Sequence, residues 1–243
     1  MIAILVAAVL AAPSPTLAVA ELPLAGRVIV LDPGHQLGNR NFPTEINALV
    51  PAGGYDKPCN TTGTATNSGY PEATFNFRVA QKVRKRLERL GARVIMTRTT
   101  NRDDRWGPCI DKRGRRGNLV DADLKISIHA DGGPAAGSGF HVIAPTDRAP
   151  WTDDIFGPSR RLARTVRAAM FDKGFARADY IAGGDGLDFR GDLGTLNLSN
   201  IPTVMLEAGN MRNAGDAATM TTKAGRKRYA RALVRAVRTF LDR

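Results

Sequence analysis

Three apolar stretches of the chain end in side chains that can bind a metal ion or transfer a proton. Asp32 and His35 follow the first stretch, His129 ends the second, and Glu207 ends the third. Neutral imidazole and carboxylate are natural zinc ligands, and an unligated carboxylate can act as a general base. A single histidine at a strand end is more often structural, but two of the three histidines together with an acid at equivalent ends predict a site.

A hydrolytic zinc ion needs three protein ligands and one open position, so a third ligand must come from elsewhere in the chain. Glu72 is the candidate, because it begins a predicted helix, where the backbone is fixed and the helix dipole favours a carboxylate. From composition alone, an ordinary acidic residue of a first helical turn is the simpler interpretation of Glu72.

The segments that must position these groups alternate between strand and helix patterns. Short β-branched and apolar runs predict strands, and periodic apolar spacing predicts helices. The predicted strands are 27–31, 92–97, 124–129, 139–144 and 203–207, and the predicted helices are 72–90, 111–120, 160–171 and 223–242. This alternation predicts one α/β domain with helices on both faces of a sheet. Sites in such sheets collect outside the carboxyl ends of the strands, where the candidate groups fall.

Two segments have no regular pattern. Residues 36–71 are rich in Gly, Pro, Asn and Thr and are predicted to form one long loop, which in a compact domain is usually functional or mobile. Residues 174–200 are rich in Gly and give no clear assignment.

The first twenty residues carry no charge. The apolar run 2–12 is too short to span a bilayer but suits the core of a signal peptide, and Ala18-Val19-Ala20 supplies a cleavage pattern. The positive segment that usually precedes such a core is missing, so an N-terminal core helix or a membrane anchor is the alternative. The pattern predicts an exported protein whose mature chain begins near Glu21.

The chain has two cysteines, Cys59 and Cys109. In an exported protein they are expected to form one disulfide, and two unpaired thiols are the alternative. A bridge would hold the 36–71 loop near the region that follows the second strand.

The formal net charge is +12, and the positive residues are unevenly spread. Residues 78–116 contain 14 Lys and Arg against four acidic residues, and residues 223–243 contain eight against one. Because no nucleic-acid motif or aromatic-rich stretch accompanies this charge, we expect no nucleic-acid partner. Anionic polymers of the cell envelope, or a plain solvated basic surface, are the remaining interpretations.

Four stretches resemble the N-acetylmuramoyl-L-alanine amidase family of zinc hydrolases. They are VIVLDPGH, PEATFNFRVAQKV, DLKISIHAD and IPTVMLEAGNMRN, which fall in the family's order within residues 27–213. The shorter stretch RGRRGN, from Arg113 to Asn118, also fits. The Gly-rich GLDFRGDLGTLNLSN is most similar to mycobacterial and actinobacterial members.

The resemblance implies that His35, Glu72 and His129 hold one zinc ion and that Glu207 is the catalytic acid/base. It implies cleavage of the amide between the lactyl group of N-acetylmuramic acid and L-alanine of the stem peptide, with peptidoglycan as the partner. It also implies a mixed, mostly parallel β-sheet flanked by helices. We expect a monomer with one catalytic domain over residues 21–243 and no separate wall-binding module.

Four further residues each leave more than one role open in this hypothesis. His141 is a metal ligand, a substrate contact or an ordinary strand residue, and the last two interpretations are preferred. Arg190 and Asp192 either bind a carboxylate or an amine of the stem peptide or form a solvated loop pair. Asp32 either orients a ligand histidine or caps the turn that precedes His35.

Two other functions fit the same residues. A zinc peptidase that cuts within the stem peptide would use the same metal chemistry. A non-catalytic wall-binding protein would use the basic surface alone, but such a protein has no need of an acid at Glu207.

Overall fold

The computed structural model describes residues 21–242, so the signal peptide predicted over residues 1–20 lies outside the described residues. The strands are β1 (Val28–Pro33), β2 (Leu49–Pro51), β3 (Asp56–Pro58), β4 (Arg93–Met96), β5 (Leu124–Asp131), β6 (His141–Pro145), β7 (Leu187–Arg190) and β8 (Thr203–Asn210). The helices are α1 (Pro43–Asn47), α2 (Glu72–Arg89), α3 (Ile110–Arg115), α4 (Phe156–Phe171), α5 (Gly194–Asn197), α6 (Ala214–Thr221) and α7 (Lys223–Leu241).

Six strands form one mixed sheet in the order β4-β1-β5-β8-β6-β7. The strands β4, β1, β5 and β8 are parallel to one another, β6 pairs antiparallel with β8, and β7 is parallel to β6. Strands β2 and β3 form a separate antiparallel hairpin. The prediction of a mixed, mostly parallel sheet in an α/β domain is confirmed.

The two faces of the sheet are covered unequally. The long helices α2, α4 and α7 pack on one face and share the main hydrophobic core with it. The short helices α3 and α5 lie on the other face, where Ile143, Leu196 and Met205 form a small apolar cluster. Helices therefore cover both faces, as predicted, but only one face carries an extended apolar core.

Alternation along β5 separates the apolar core from the polar face. Ile126 and Ile128 are fully buried against the long helices. Because successive strand residues point to opposite faces, Lys125, Ser127 and His129 point towards α3. All three of these polar side chains are buried as well.

The helix predicted over 72–90 is confirmed by α2. Its buried residues Val79, Val83 and Leu87 recur at helical spacing, and Gly91 follows the helix with a φ of +97°, which glycine adopts without strain.

Two local predictions were wrong in detail. Residues 36–71 are not a structureless loop, because they contain a 3-10 turn (Leu37–Asn41), α1 and the β2–β3 hairpin. The helix predicted over 111–120 ends at Arg115, because Gly117 takes a φ of +102° before a 3-10 turn at Asn118–Val120. Elements of only three to six residues give too short a periodic signal to be recognised.

Within residues 21–242, no helix combines the length and the apolar character that crossing a membrane requires.

Candidate active site

His35, Glu72 and His129 come together at the carboxyl edge of the sheet. Their ligand atoms all lie within 4.8 Å of one another. His35 Nε2 is 3.2 Å from Glu72 Oε2, and His129 Nδ1 is 3.0 Å from Glu72 Oε1. The three residues come from the end of β1, the first turn of α2 and the end of β5. Two imidazoles and a carboxylate at these distances suit a zinc ion.

His35 owes its position to the turn after β1. It has a φ of +58°, a left-handed conformation that is uncommon for a residue other than glycine and that clusters at functional sites. Gly34 precedes it, and a Cβ at Gly34 would collide with the His129 ring, so glycine lets the two imidazoles approach. His35 Nδ1 lies 3.0 Å from the Thr61 carbonyl oxygen, which turns Nε2 towards Glu72.

Glu72 is held by hydrogen bonds from three directions. The Thr64 backbone N–H donates to Oε2 at 3.0 Å, while the Asn76 side chain and the Ala130 N–H donate to Oε1 at 3.0 and 3.2 Å. Burial alone would raise the pKa of Glu72, but the charges and hydrogen bonds of His35 and His129 stabilise the charged form and hold that pKa well below its ordinary value. Glu72 is therefore an ionised carboxylate in a fixed orientation.

Asp32 acts on this group through Arg113 and not by direct contact with a histidine. Arg113 donates from Nε and Nη2 to the two Asp32 carboxylate oxygens at 2.8 and 2.9 Å. Arg113 Nη2 also lies 3.0 Å from His129 Nε2. Burial opposes the charge on Asp32, but Arg113, Ser127 and Thr97 hold its pKa far below the ordinary value. The ion pair thus fixes the ring plane of His129.

Lys125 anchors the short helix that carries Arg113. Its Nζ donates to the carbonyl oxygen of Gly114 at the end of α3, and its side chain is fully buried. Burial lowers the pKa of Lys125 to about 7, the nearby Asp32 opposing and Arg113 reinforcing that shift. Sequence patterns did not identify Arg113 or Lys125 as site residues, although a buried Asp32 requires a cation close by.

Glu207 lies between two histidines across the sheet. The register pairs it with His129 on β5 and with His141 on β6, so the three residues stand side by side on one face. Burial raises the pKa of Glu207 well above its ordinary value, and the negative charges of Glu72 and Asp131 add to that shift. A carboxyl group with a raised pKa can both accept and return a proton near neutral pH.

A cavity of about 420 Å³ joins these groups. His35, Arg113, His129 and Glu207 line it on the polar side, and its apolar lining includes Ile110, Leu193 and Met205. The structure therefore brings two of the predicted ligands, His35 and His129, and the predicted acid/base Glu207 to the wall of one cavity, and Glu72 contacts both histidines behind it.

The predicted substrate residues lie outside this lining. Arg190 donates to both carboxylate oxygens of Asp192, at 2.8 and 2.7 Å, and Lys57 Nζ lies 3.5 Å from the same carboxylate. His141 is only 3% exposed, and its Nδ1 has no hydrogen-bond partner in the described part of the chain. Burial lowers the pKa of His141, which favours a neutral ring.

The predicted disulfide between Cys59 and Cys109 is present. It joins the loop that carries Thr61 to the residue directly before α3. The Ile110 N–H also donates to the Cys59 carbonyl at 2.8 Å. The bridge therefore links the segment that orients His35 to the helix that carries Arg113.

The fold and the site together define a single α/β domain with a His–Glu–His group able to hold a metal ion. Residues 29–239 match the family model described as N-acetylmuramoyl-L-alanine amidase. The chain is 43% identical over 220 residues to an N-acetylmuramoyl-L-alanine amidase of Mycobacterium tuberculosis, covering 90% of this chain and 88% of that protein. The chain therefore belongs to the N-acetylmuramoyl-L-alanine amidase family, as its sequence motifs predicted.

Solved structures agree with this assignment. The crystal structure of an N-acetylmuramyl-L-alanine amidase from Mycobacterium smegmatis superposes with a TM-score of 0.83 at 40% identity, covering 90% of this chain and 98% of that one. The corresponding enzyme of Mycobacterium abscessus, in its apo form, gives a TM-score of 0.82 at 46% identity, over 89% and 99% of the two chains. An amidase from Clostridium difficile, at 20% identity and a TM-score of 0.66, shares the fold and covers 90% and 98%.

Proposed function

We propose that the chain is a zinc-dependent peptidoglycan amidase of cell-wall turnover or daughter-cell separation. It cleaves the amide between the lactyl group of N-acetylmuramic acid and L-alanine of the stem peptide. The observation that carries this proposal is the grouping of His35, Glu72 and His129 beside one cavity that His35, His129 and Glu207 line. A pure wall-binding protein has no need of that combination.

The donor set fits a single zinc ion. His35, Glu72 and His129 would be its three protein ligands, which leaves one position open, as in catalytic zinc sites. A zinc ion held there would lower the pKa of a bound water to roughly 7 and polarise the substrate carbonyl. Residues around the ligands support this role, because Thr61 and Arg113 orient the two imidazoles.

Glu207 is the proton carrier of the proposed reaction. In its ionised form it takes a proton from the attacking water, and it then delivers this proton to the departing L-alanine nitrogen. Its raised pKa makes the ionised form a better acceptor for the proton of the attacking water. The apolar side chains of Leu193 and Met205 limit competing water around this carboxyl group.

Arg190 and Asp192 are proposed contacts of the stem peptide. They lie at and just after the end of β7, the strand next to β6, and are partly exposed. Their mutual ion pair neutralises both charges in the free enzyme, so a peptide carboxylate or amine would have to exchange with it. His141 is proposed as the neighbour that packs beside Glu207, because its low exposure leaves little room for substrate.

The enzyme is proposed to act outside the cytoplasm. The disulfide supports export because such bonds persist in oxidising compartments, and the charge pattern of residues 1–20 supports a signal peptide. A Staphylococcus aureus relative of 26% identity is named a probable cell wall amidase.

Purified muropeptides test the proposal directly. We expect the mature protein to release intact stem peptides with a free L-alanine amine, to lose activity with a chelator and to recover it with added zinc. New termini inside the stem peptide would instead identify a peptidase, and binding without any product would identify a wall-binding protein. Mass spectrometry of the products distinguishes these three results.

A further inference from the structure

A strip of positive charge on the outer helix layer is not used by the proposed reaction. On α7, the exposed side chains Lys223, Lys227, Arg231 and Arg235 recur at every fourth residue. Lys82 and Lys85 of α2 face the start of this row. At about 1.5 Å per residue the α7 row is roughly 18 Å long. These six residues are called the basic seam.

Two depressions lie along the basic seam. The first, of about 300 Å³, is lined by five basic side chains, which come from α2 and from the first turn of α7. The second, of about 480 Å³, is lined by four basic side chains from further along both helices and by Lys173, which follows α4. Asp242 is the single acid among its described lining residues. The cations therefore surround concave space and do not merely point outwards from separate positions.

The positive charge of the basic seam is largely unneutralised. Among residues 21–242, Arg235 is the one member with an ion-pair partner, Asp172 at 3.0 Å. Burial lowers the pKa of Lys82, and the neighbouring cations Arg226, Lys223, Lys227 and Lys85 lower it further. Such a concentration of like charge attracts a flexible polyanion.

The position of the basic seam relative to the active site is defined by α2. This helix begins with the predicted zinc ligand Glu72, and Lys82 follows about 15 Å further along the helix axis. The catalytic cavity lies with His129 and Glu207 on the opposite face of the sheet. A polymer bound along the seam would therefore leave the cavity open.

The side chains of this surface favour a linear polymer over a membrane. Proteins that lie on bilayers combine basic residues with exposed apolar side chains that enter the lipid. None of the large exposed apolar side chains among the described residues lies on α2 or α7; they are Leu22, Leu49, Trp106, Leu119, Val120, Phe171 and Phe189. The seam is therefore suited to charge contacts alone.

We infer that the basic seam binds the stem-peptide carboxylates of a peptidoglycan strand, and so keeps the enzyme on its polymer between cleavage events. This inference rests on the proposed function, which supplies peptidoglycan as the partner. A polymer already bound at the seam presents its cleavable amides to the cavity at a raised effective concentration. This requires no new contact at the cavity itself.

A triple charge reversal tests the inference. Lys82→Glu, Lys85→Glu and Lys227→Glu change exposed or half-exposed positions of the seam. The matched control is Arg93→Glu, Arg105→Glu and Arg160→Glu, which are exposed, lie off the seam and give the same change of net charge. Both variants are measured for binding to purified insoluble peptidoglycan over a range of salt concentrations, and for hydrolysis of a soluble monomeric muropeptide.

At low ionic strength the seam variant should bind peptidoglycan about tenfold or more weakly than the wild-type protein, with a smaller dependence on salt. The control should bind almost normally, and both variants should hydrolyse the monomer at the wild-type rate. Peptidoglycan whose carboxylates have been converted to amides should bind the wild-type protein as weakly as unmodified peptidoglycan binds the seam variant.

Equal binding of the seam and control variants would overturn the inference, as would normal binding to the amidated polymer. Preferential binding to duplex DNA or to phosphatidylglycerol vesicles through the same residues would also overturn it, in favour of those partners. A wild-type protein that fails to cleave the lactyl amide of the monomer would instead refute the proposed function, so the two failures are distinguishable.

Discussion

The two faces of the central sheet bury different kinds of side chain. Under the long helices, β5 buries apolar residues such as Ile126 and Ile128. On the face that carries the site, charged Asp32, Arg113 and Lys125 are all at most 3% exposed. These side chains are buried on both faces, but apolar packing buries them on one face and ion pairs and hydrogen bonds bury them on the other.

Because of this difference, one face mainly stabilises the fold and the other mainly fixes the orientation of the site residues. Apolar burial is non-directional, so the long-helix face contributes most of the free energy of folding without fixing exact orientations. Buried charges are tolerated only when each has well-oriented partners. The ion pairs of the site face therefore fix the orientations of its side chains, but desolvating these charges lowers the free energy of unfolding. Changes on the two faces should therefore have different effects.

Glu207→Gln should have the largest effect, because it removes the proposed proton carrier while keeping the shape of the side chain. We expect turnover on muropeptides to fall by roughly 10²–10⁴-fold, the usual contribution of general acid–base catalysis. Zinc content, measured by elemental analysis, should stay near one ion per chain. The matched control is Glu88→Gln on the exposed side of α2, which should leave turnover unchanged. A Glu207→Gln enzyme with near-normal turnover would remove Glu207 from its assigned role.

Arg113→Met should affect both stability and the site. It leaves Asp32 buried without its cation, which costs about 3–5 kcal/mol in comparable buried pairs. It also removes the group that orients His129, so zinc affinity should fall by roughly 10–100-fold. Urea unfolding and competitive zinc titration measure the two effects.

The control for this ion pair is on the other face. Arg235→Met breaks an exposed pair with Asp172 and should cost less than about 1 kcal/mol, with zinc affinity unchanged. Similar losses from the two variants would contradict the proposed contrast between the faces.

Ile126→Ala should affect stability alone. Ile126 is fully buried under the long helices, so its truncation should cost roughly 2–5 kcal/mol of unfolding free energy. Zinc affinity and turnover of the folded protein should match the wild type at a temperature where both are folded. A large loss of zinc affinity in this variant would show that the two faces are coupled.

The lowered pKa of Lys125 on the site face predicts that the free energy of unfolding depends on pH. Its pKa is about 7 in the folded protein against an ordinary value of 10.5, so between these values the unfolded chain holds a proton that the folded chain lacks. The unfolding free energy should therefore rise with pH in this range, by at most roughly 1.4 kcal/mol per pH unit from this group. In Lys125→Met that contribution should disappear. Unfolding curves of the two proteins that run parallel from pH 7 to 10 would contradict the assignment.

Much of the fold follows from local patterns in the sequence. The strands β1, β5 and β8 and the helix α2 have long, regular apolar patterns, and their approximate bounds were predicted correctly. Because the carboxyl ends of parallel strands meet at one edge, His35, His129 and Glu207 could be expected to lie together. The short elements α5, β2 and β3 were missed, since three or four residues carry no detectable period.

The supporting residues of the site could not be predicted in the same way. Arg113 lies 81 positions from Asp32 in the sequence, and its contact with His129 depends on how α3 packs on the sheet. The sequence allowed two roles for Asp32, a cap of the turn before His35 or a partner of a ligand histidine. The structure shows a third arrangement, in which Asp32 holds the arginine that contacts the histidine.

The sequence by itself determined the residue types of the site, their order along the chain and the alternation that makes an α/β sheet. Only the tertiary structure decided which groups touch, which face is polar and how the cations of α2 and α7 join into one surface. The physical reason is the distance along the chain over which each effect acts. Periodicity and turn chemistry act over a few residues, whereas burial, ion pairing and a group of metal-binding side chains depend on segments that meet only after folding.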